Sequence, residues 1–289
     1  SAIKGIQALP LIETGAADDF AFSDAELAMA CASHGGEEEH ARTVLGVLER
    51  LGLGEADLEC GPHWPMHEES ARALAIRGEM PSQLHNNCSG KHMGMLAVAK
   101  TLGKATKGYI QQTHAVQQRV LGVFEAMCGL DLSDAPVGFD GCSVPTWGIP
   151  LENLALGFAR FAAPERLSEE RASACRRLLR ACCENPFYVA GTGRYCTEMM
   201  QLLPQVFLKT GAEGVYVAAL PEYGLGVALK CDDGATRAAE VMMTALLRHI
   251  GAIGEADLAK VKHFLEVPLN NRADRQVGEI RAAADALRF

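Results

Sequence analysis

The stretch Val215-Tyr-Val-Ala-Ala-Leu220 is an apolar run, and a second one, Leu225-Gly-Val-Ala-Leu-Lys-Cys231, follows after Pro221-Glu-Tyr-Gly224. Two short apolar runs separated by a turn that contains Pro and Gly predict an antiparallel β-hairpin. Residues 277–281, Val-Gly-Glu-Ile-Arg, form a further candidate strand. This part of the chain therefore predicts an antiparallel sheet.

Helical patterns dominate the rest of the chain. Ser23-Asp-Ala-Glu26 has the form of a capping box, and the apolar run behind it stops at Ser33-His-Gly-Gly36. Apolar residues recur at helical spacing before Gly52 and before Gly129. Further helices are predicted over 151–161, 168–183 and 236–250.

The predicted fold class is α/β of the α+β type, with an antiparallel sheet packed by helices. Three strands are few for so many helices, because a sheet usually has about five or six strands. We therefore expect N-terminal strands to be missing from this chain. No repeat, low-complexity tract or Pro/Ser-rich linker divides residues 1–289, so we expect one domain.

Composition excludes several classes of protein. The chain has 289 residues and is 48% hydrophobic and 22% charged, as expected of an ordinary globular protein. Its formal net charge of −9 would repel the phosphate backbone of a nucleic acid. No apolar run reaches the roughly 18 to 20 residues that a bilayer crossing needs. Ten cysteines in so long a chain, two of them adjacent, are typical of reduced thiols and predict a cytoplasmic protein. We therefore expect neither nucleic acid nor a membrane as a partner.

The first candidate for chemistry is Ser1-Ala-Ile-Lys4. At the start of a helix, residues three apart share a face, so a neutral Lys4 amine could take the Ser1 proton. Composition alone gives about 0.3 such pairs by chance, so spacing by itself favours the alternative of a solvated serine and lysine.

The second candidate is Cys88-Ser-Gly-Lys91-His92, at a predicted helix start, and the third is Asp140-Gly-Cys142 in an irregular segment. One helical turn places Cys88 beside Lys91. Cysteine is a common zinc ligand, whereas lysine must lose its proton to bind a metal. A buried helix start with Lys91 reaching water and a Cys88–Cys142 disulfide stay open as alternatives.

Two further positions carry weaker signals. Gly191-Thr-Gly-Arg194 lacks the third glycine and the preceding strand of a dinucleotide-binding loop, although Arg194 at a helix start could hold a carboxylate. Lys230 lies in an apolar strand and faces either a cleft or solvent, with solvent as the default. The nine histidines contain no HExxH motif, which argues against a metalloprotease.

These pieces together resemble a known layout. A Ser-x-x-Lys at a helix start, a second serine at a helix end and a lysine on a late strand are arranged as in serine β-lactamases and penicillin-binding proteins. In the residues, order and spacing of its motifs the chain resembles the asparaginase II family of rhizobial type. That family is similar in fold to serine β-lactamases and bacterial glutaminases. The resemblance extends from Ser1 to Ile280, and it rests on these strings: Ser1-Ala-Ile-Lys4, Cys31-Ala-Ser33-His34, Asn87-Cys-Ser-Gly-Lys91-His92, Asp140-Gly-Cys142, Gly191-Thr-Gly-Arg194 and Leu229-Lys230.

The resemblance implies a catalytic role for two serine–lysine pairs. Ser1 would be the nucleophile and Lys4 its activating base, while Ser33 and Lys230 would form the second pair. Ser1 would attack the side-chain amide of L-asparagine, ammonia would leave, and water would hydrolyse the aspartyl ester. Two lysines in one pocket repel each other, which lowers both pKa values.

The resemblance also implies a metal site. Cys88, Lys91 and Cys142 match the three protein ligands of one zinc ion in that family, with water completing the set. His92 and Asp140 would orient these ligands or hold the α-amino and α-carboxylate groups of the substrate. The ion would position or grip the substrate, and the family implies a homodimer.

Three alternatives stay open at this stage. One is a related serine acyl enzyme, either a glutaminase or a penicillin-recognising hydrolase. Another is a non-catalytic protein in which zinc is structural. Family members also have a segment before the Ser-x-x-Lys, so we expect a truncated or cleaved chain here; a genuine N-terminal Ser1 would instead indicate an N-terminal nucleophile hydrolase.

Overall fold

The computed structural model describes residues 1–283, and α-helices account for most of the regular structure. Within that range the helices are α1 (Lys4–Gln7), α2 (Leu9–Glu13), α3 (Ala16–Asp19), α4 (Asp24–Ala30), α5 (Glu38–Arg50), α6 (Glu68–Ile76), α7 (Ser89–Thr101), α8 (Ala115–Cys128), α9 (Leu151–Ala162), α10 (Glu169–Glu184), α11 (Pro186–Ala190), α12 (Tyr195–Leu202), α13 (Thr236–Ile250) and α14 (Leu258–Leu265).

The strands form small antiparallel sheets. Within the described residues they are β1 (Val137–Phe139), β2 (Pro145–Trp147), β3 (Phe207–Thr210), β4 (Val215–Leu220), β5 (Leu225–Lys230), β6 (Glu266–Asn270) and β7 (Gln276–Arg281). The strand orders are β1-β2, β3-β4-β5 and β6-β7. The structure therefore has the predicted α+β composition of many helices and antiparallel strands.

The predicted hairpin of β4 and β5 is confirmed. Its strands pair from Val215 with Lys230 to Leu220 with Leu225. The third strand of this sheet is β3, which is buried along its whole length and pairs with the other edge of β4. The candidate strand at 277–281 does form within β7, but it pairs with β6 in a separate hairpin.

Helix α9 packs across β4 and β5. Gly226 permits this close approach, because a Cβ atom there would lie 2.1 Å from Ala155 O and from Ala159 N. Phe158 and Phe161 of α9 contact the ring of Phe207 on β3, with ring centroids 6.0 and 5.7 Å away. The buried side of the sheet thus continues into the main hydrophobic core.

The helix boundaries follow their local signals. Ser23 forms the predicted capping box with Glu26 at the start of α4. Gly129 ends α8 in the left-handed conformation, with φ at 69°, where glycine is favoured because it has no Cβ. Residues 236–250 form α13 as predicted. Within residues 1–283 the structure contains no helix that is both long and apolar enough to cross a bilayer.

Candidate active site and metal-binding group

Most of the candidate site residues line one cavity of about 320 Å³. Its walls include Ser1, Ser33 and Cys88 together with Asp140 and Arg194. These residues come from the segment before α1, the segment after α4, the start of α7, the loop after β1 and the start of α12. Distant parts of the chain therefore meet at one concave site.

Backbone hydrogen bonds fix Ser33 at the base of this cavity. Helix α4 ends at Ala30, and the chain then continues without regular secondary structure, with Ser33 N donating to Val189 O at 3.0 Å. The next residue, His34, donates its backbone N–H to Asn87 O at 3.2 Å. Ser33 is thereby held between α11 and the segment that leads into α7.

Two lysine side chains meet at the hydroxyl of Ser33. Lys4 Nζ donates to Ser33 Oγ at 2.9 Å, and Lys209 Nζ donates to the same oxygen at 2.7 Å. Lys4 also donates to Ala32 O at 2.6 Å, and Lys209 to Thr210 O at 2.7 Å. Both lysines are 0% exposed and Ser33 is 4% exposed, so bulk water screens this cluster weakly.

Burial changes the proton affinity of one of these amines. Desolvation, reinforced by the charge of Lys4, lowers the pKa of Lys209 from 10.5 to about 7. An amine with a pKa near neutrality is present as the free base in a large fraction of molecules at pH 7. Lys209 therefore has the protonation behaviour that a general base requires.

The pairing of Ser33 with Lys230 is wrong. Lys230 is exposed, and its Nζ donates to Glu213 O in the turn before β4 at 2.7 Å and to Cys231 O after β5 at 3.0 Å. Lys209 takes the place beside Ser33 that the sequence analysis gave to Lys230. Lys209 was missed because the four-residue strand β3 was missed; its signal is a lone lysine in the apolar run Val206-Phe-Leu-Lys-Thr210.

The partner of Ser1 also differs from the expectation. Ser1 lies two residues before Ile3, the N-terminal cap of α1, and its Oγ donates to Asp140 Oδ2 at 3.2 Å. The Lys4 side chain instead reaches Ser33, and it donates as well to Cys88 Sγ at 3.1 Å. Lys4 thus connects the serine–lysine cluster to Cys88.

Two cysteines and a carboxylate form a group that could hold a metal ion. One ligand atom each of Cys88, Asp140 and Cys142 lies within 4.8 Å of the others. The Lys91 amine lies 3.5 Å from Asp140 Oδ2 and also hydrogen-bonds to Cys142. All ten cysteines are free thiols, so the alternative of a Cys88–Cys142 disulfide is wrong.

Two members of this group ionise more readily than usual, whereas the hydrogen bond with Cys88 and burial raise the pKa of Cys142. The hydrogen bond from Cys142, assisted by the charges of Lys4 and Lys91, holds the pKa of Cys88 well below its usual value despite burial. Burial opposes ionisation of Asp140, but the charges around it, Lys91 foremost, outweigh burial and lower its pKa. A thiolate, a second thiol and a carboxylate are a donor set that suits a divalent transition metal such as zinc.

His92 occupies a different position from the one expected. It is fully buried, its Nδ1 lies 2.5 Å from the Tyr109 hydroxyl, and burial lowers its pKa to about 3. It is absent from the cavity walls formed by residues 1–283. The expectation that His92 contacts the substrate is therefore wrong, because its side chain lies in the core beside Tyr109.

Arg194 lies at the cavity, as its position at the start of α12 predicts. Among the residues that the structure describes, its side-chain hydrogen bond runs from Nη1 to Met66 Sδ at 3.8 Å, and no carboxylate forms an ion pair with it, although its charge acts on Glu240 at longer range. A guanidinium without a protein carboxylate partner is available to bind the carboxylate of a small molecule.

A serine hydroxyl that contacts buried amines at a cavity is an arrangement typical of serine acyl-transfer hydrolases, in which an adjacent base activates a hydroxyl. The family model described as L-asparaginase II matches residues 1–282, so the chain belongs to the L-asparaginase II family. Membership supports an asparaginase-like hydrolase that acts on a small molecule. A search of curated proteins found no match.

Proposed function

We propose that this protein is an amidohydrolase that converts L-asparagine to L-aspartate and ammonia through a serine acyl-enzyme. We further propose that residues 1–289 form one domain with the serine β-lactamase and glutaminase-like fold, which acts in the cytoplasm as a homodimer. The observation that carries the activity is the hydrogen-bonded series Lys4–Ser33–Lys209 at the base of the cavity. Membership in the L-asparaginase II family supports the choice of substrate.

Ser1 is the proposed nucleophile. Its side chain is 11% exposed and borders two adjoining cavities, whereas Ser33 is enclosed between two amines. Asp140 accepts a hydrogen bond from the Ser1 hydroxyl and so orients it. Because its pKa is low, Asp140 is a poor base, and the base must be an amine.

The proposed proton path leads from Ser1 through Lys4 and Ser33 to Lys209. As Ser1 Oγ bonds to the amide carbon, neutral Lys209 takes the proton of the Ser33 hydroxyl, and Ser33 takes a proton from the Lys4 ammonium. Lys4, which then has a free lone pair, takes the Ser1 proton, so Lys209 ends protonated. The reverse path delivers that proton to the departing ammonia, and the same groups activate water for the hydrolysis of the ester.

Two charged groups in the cavity wall would orient the substrate. Arg194 would bind the α-carboxylate, because its guanidinium has no carboxylate partner among residues 1–283. Asp140 would bind the α-ammonium group, since it is ionised and borders the cavity. Both charges of the amino acid then have a complementary group.

Cys88, Lys91 and Cys142 would hold one zinc ion, with Asp140 beside them. Bound zinc would supply a fixed positive charge that positions the substrate. The donor set fits because Cys88 is already disposed to be a thiolate. Lys91 can join it only after losing a proton, so occupancy should fall in acid.

The activity is tested by measuring ammonia release by the full-length protein from L-asparagine and from L-glutamine. We expect release from asparagine, none from Ser1→Ala, and normal rates from Ser23→Ala, whose hydroxyl only caps α4. Mass spectrometry of a quenched reaction should find the aspartyl adduct on the peptide that contains Ser1. An adduct on Ser33 would reassign the nucleophile, and labelling by a β-lactam without asparagine hydrolysis would favour a penicillin-recognising enzyme.

The metal is tested by elemental analysis of purified protein. We expect one zinc per chain, and its loss in Cys88→Ser and in Cys142→Ser. Cys183→Ser is the matched control, because Cys183 is the one of the ten cysteines that is not fully buried and it is absent from the group. Zinc retained in both site variants would contradict the assignment.

A further inference from the structure

The loop that carries Arg194 is clamped by a glutamate on another part of the chain. Glu37 Oε1 accepts the backbone N–H of Thr192 at 2.8 Å, and Glu37 Oε2 accepts the Thr192 hydroxyl at 2.7 Å. Both oxygens of one carboxylate are therefore bound to one residue, two positions before Arg194. Two hydrogen bonds to a carboxylate in parallel fix orientation as well as distance.

Glu37 is itself held rigidly. It is the N-terminal cap of α5, its backbone N–H donates to His40 Nδ1 at 3.2 Å, and its side chain is 13% exposed. His40 is fully buried, and its Nε2 is 3.1 Å from Phe187 O. The carboxylate thus projects from a helix start that is anchored to α11, near the segment that carries Ser33.

The loop backbone is shaped around the same carboxylate. Gly191 has φ of 108°, and a Cβ atom there would lie 2.6 Å from Glu37 Oε1. The carbonyl of Gly191 accepts the Thr197 hydroxyl at 2.6 Å, which ties the loop to the first turn of α12. The loop is therefore fixed from Glu37 on one side and from α12 on the other.

The Arg194 side chain itself is held weakly. In the described part of the chain its guanidinium donates one hydrogen bond, to the sulfur of Met66, which is 51% exposed, and it interacts with Glu240 only beyond ion-pair distance. So weak a contact does not hold a flexible arginine in one place. The rigidity must come from the backbone between Gly191 and Arg194.

We propose that Glu37 and Thr192 are positioning residues that aim Arg194 at the substrate's α-carboxylate and thereby make the enzyme specific for free amino acids. This inference rests on the proposed function. In the described residues, Glu37 and Thr192 form hydrogen bonds neither with the serine–lysine cluster nor with the cysteines at the candidate metal site. We therefore expect them to affect substrate binding and not the chemical step. Losing the clamp should raise KM and leave kcat intact.

The test compares L-asparagine with L-asparagine methyl ester, in which a neutral ester replaces the α-carboxylate, by ammonia release from the full-length protein. For Glu37→Ala we expect KM for asparagine to rise about tenfold with kcat within about twofold, as expected for losing a charge-assisted contact. The kcat/KM for the methyl ester should stay within about twofold. Thr192→Val, which keeps the backbone hydrogen bond, should raise KM by about threefold.

Three controls isolate the clamp. Glu37→Gln retains an acceptor for Thr192 N and should recover most of the affinity. Glu38→Ala removes a neighbouring exposed acid of α5 and should behave as wild type. In an Arg194→Ala background, Glu37→Ala should add no further loss, because the two changes remove one interaction.

The outcomes separate the two proposals. Unchanged KM in Glu37→Ala, or an equal loss with both substrates, overturns the clamp while the proposed function stands. A wild-type protein that releases no ammonia from asparagine overturns the proposed function and the role assigned to the clamp.

Discussion

Lys209 and Lys230 belong to the same three-stranded sheet and have opposite surroundings. Lys209 on β3 pairs with Val217 of β4, which pairs on its other side with Ala228 of β5. Lys230 lies two residues beyond Ala228 on the same strand. Directly paired residues, and residues two apart, project on the same side of a sheet, so both lysines face the same side.

Depth along the strand therefore separates them. Lys209 sits within a four-residue strand that is buried throughout, and its amine reaches Ser33. Lys230 is the last residue of β5, and its amine binds carbonyls of the adjoining turns at the surface. A lysine inside a buried strand must find polar partners, whereas a lysine at a strand end needs none, because water is available.

The largest expected difference between them is in activity. Lys209→Ala removes the proposed terminal base and should lower kcat by about 10³-fold, within the range of general base catalysis. Lys230→Ala should stay within about twofold of wild type, because it touches no group of the site in the described residues. Steady-state ammonia release at pH 8 measures both. Equal loss in the two variants, or none in either, would refute the assignment of Lys209.

Much of the fold could be predicted because its signals are local. The capping box at Ser23, the glycine that ends α8 and the apolar period of 236–250 act within a few residues, and the structure has those elements. Strand β3 was not predicted, because four residues are too few to show a clear hydrophobic periodicity. Its burial depends on α9 and α10 as well as on its neighbours α12 and β4, and α9 and α10 lie well before it in the chain.

The sequence predicts which residues contribute to the site, but not which of them contact one another. Ser33, Lys4 and the Cys88 segment were selected by motif and resemblance, and the structure brings them together. Which amine meets which hydroxyl is set by the path of the chain after α4 and by β3. His92 follows the metal-binding motif directly, yet the turn of α7 sends it toward Tyr109 in the core, a direction that the motif does not encode.

The comparison extends to stability. Burial of an amine whose pKa falls from 10.5 to about 7 destabilises the folded protein, and this effect is complete below pH 7, shrinks as pH rises toward 10.5 and then vanishes. Lys209→Met should therefore stabilise the protein at pH 6 by about 2 kcal/mol after its lost hydrogen bonds are counted, whereas Lys230→Met should stay within about 0.5 kcal/mol. Thermal unfolding measures both. A lower Tm for Lys209→Met would contradict the claim that burial of the charged Lys209 amine destabilises the folded protein.

The smallest expected effect is the pH profile that only one of the two lysines should control. Lys209 acts as a base when deprotonated, so with its pKa at about 7 the value of kcat should fall about tenfold for each pH unit below 7 and level off above it. The charged groups that set this midpoint are Lys4 and Arg194, which lower the pKa, and the thiols of Cys196 and Cys88, which raise it. Lys230→Ala should keep the same midpoint, whereas the residual activity of Lys209→Ala should lose this acid limb. If Lys209→Ala retains a limb near pH 7, another group titrates there and the proton path must end elsewhere.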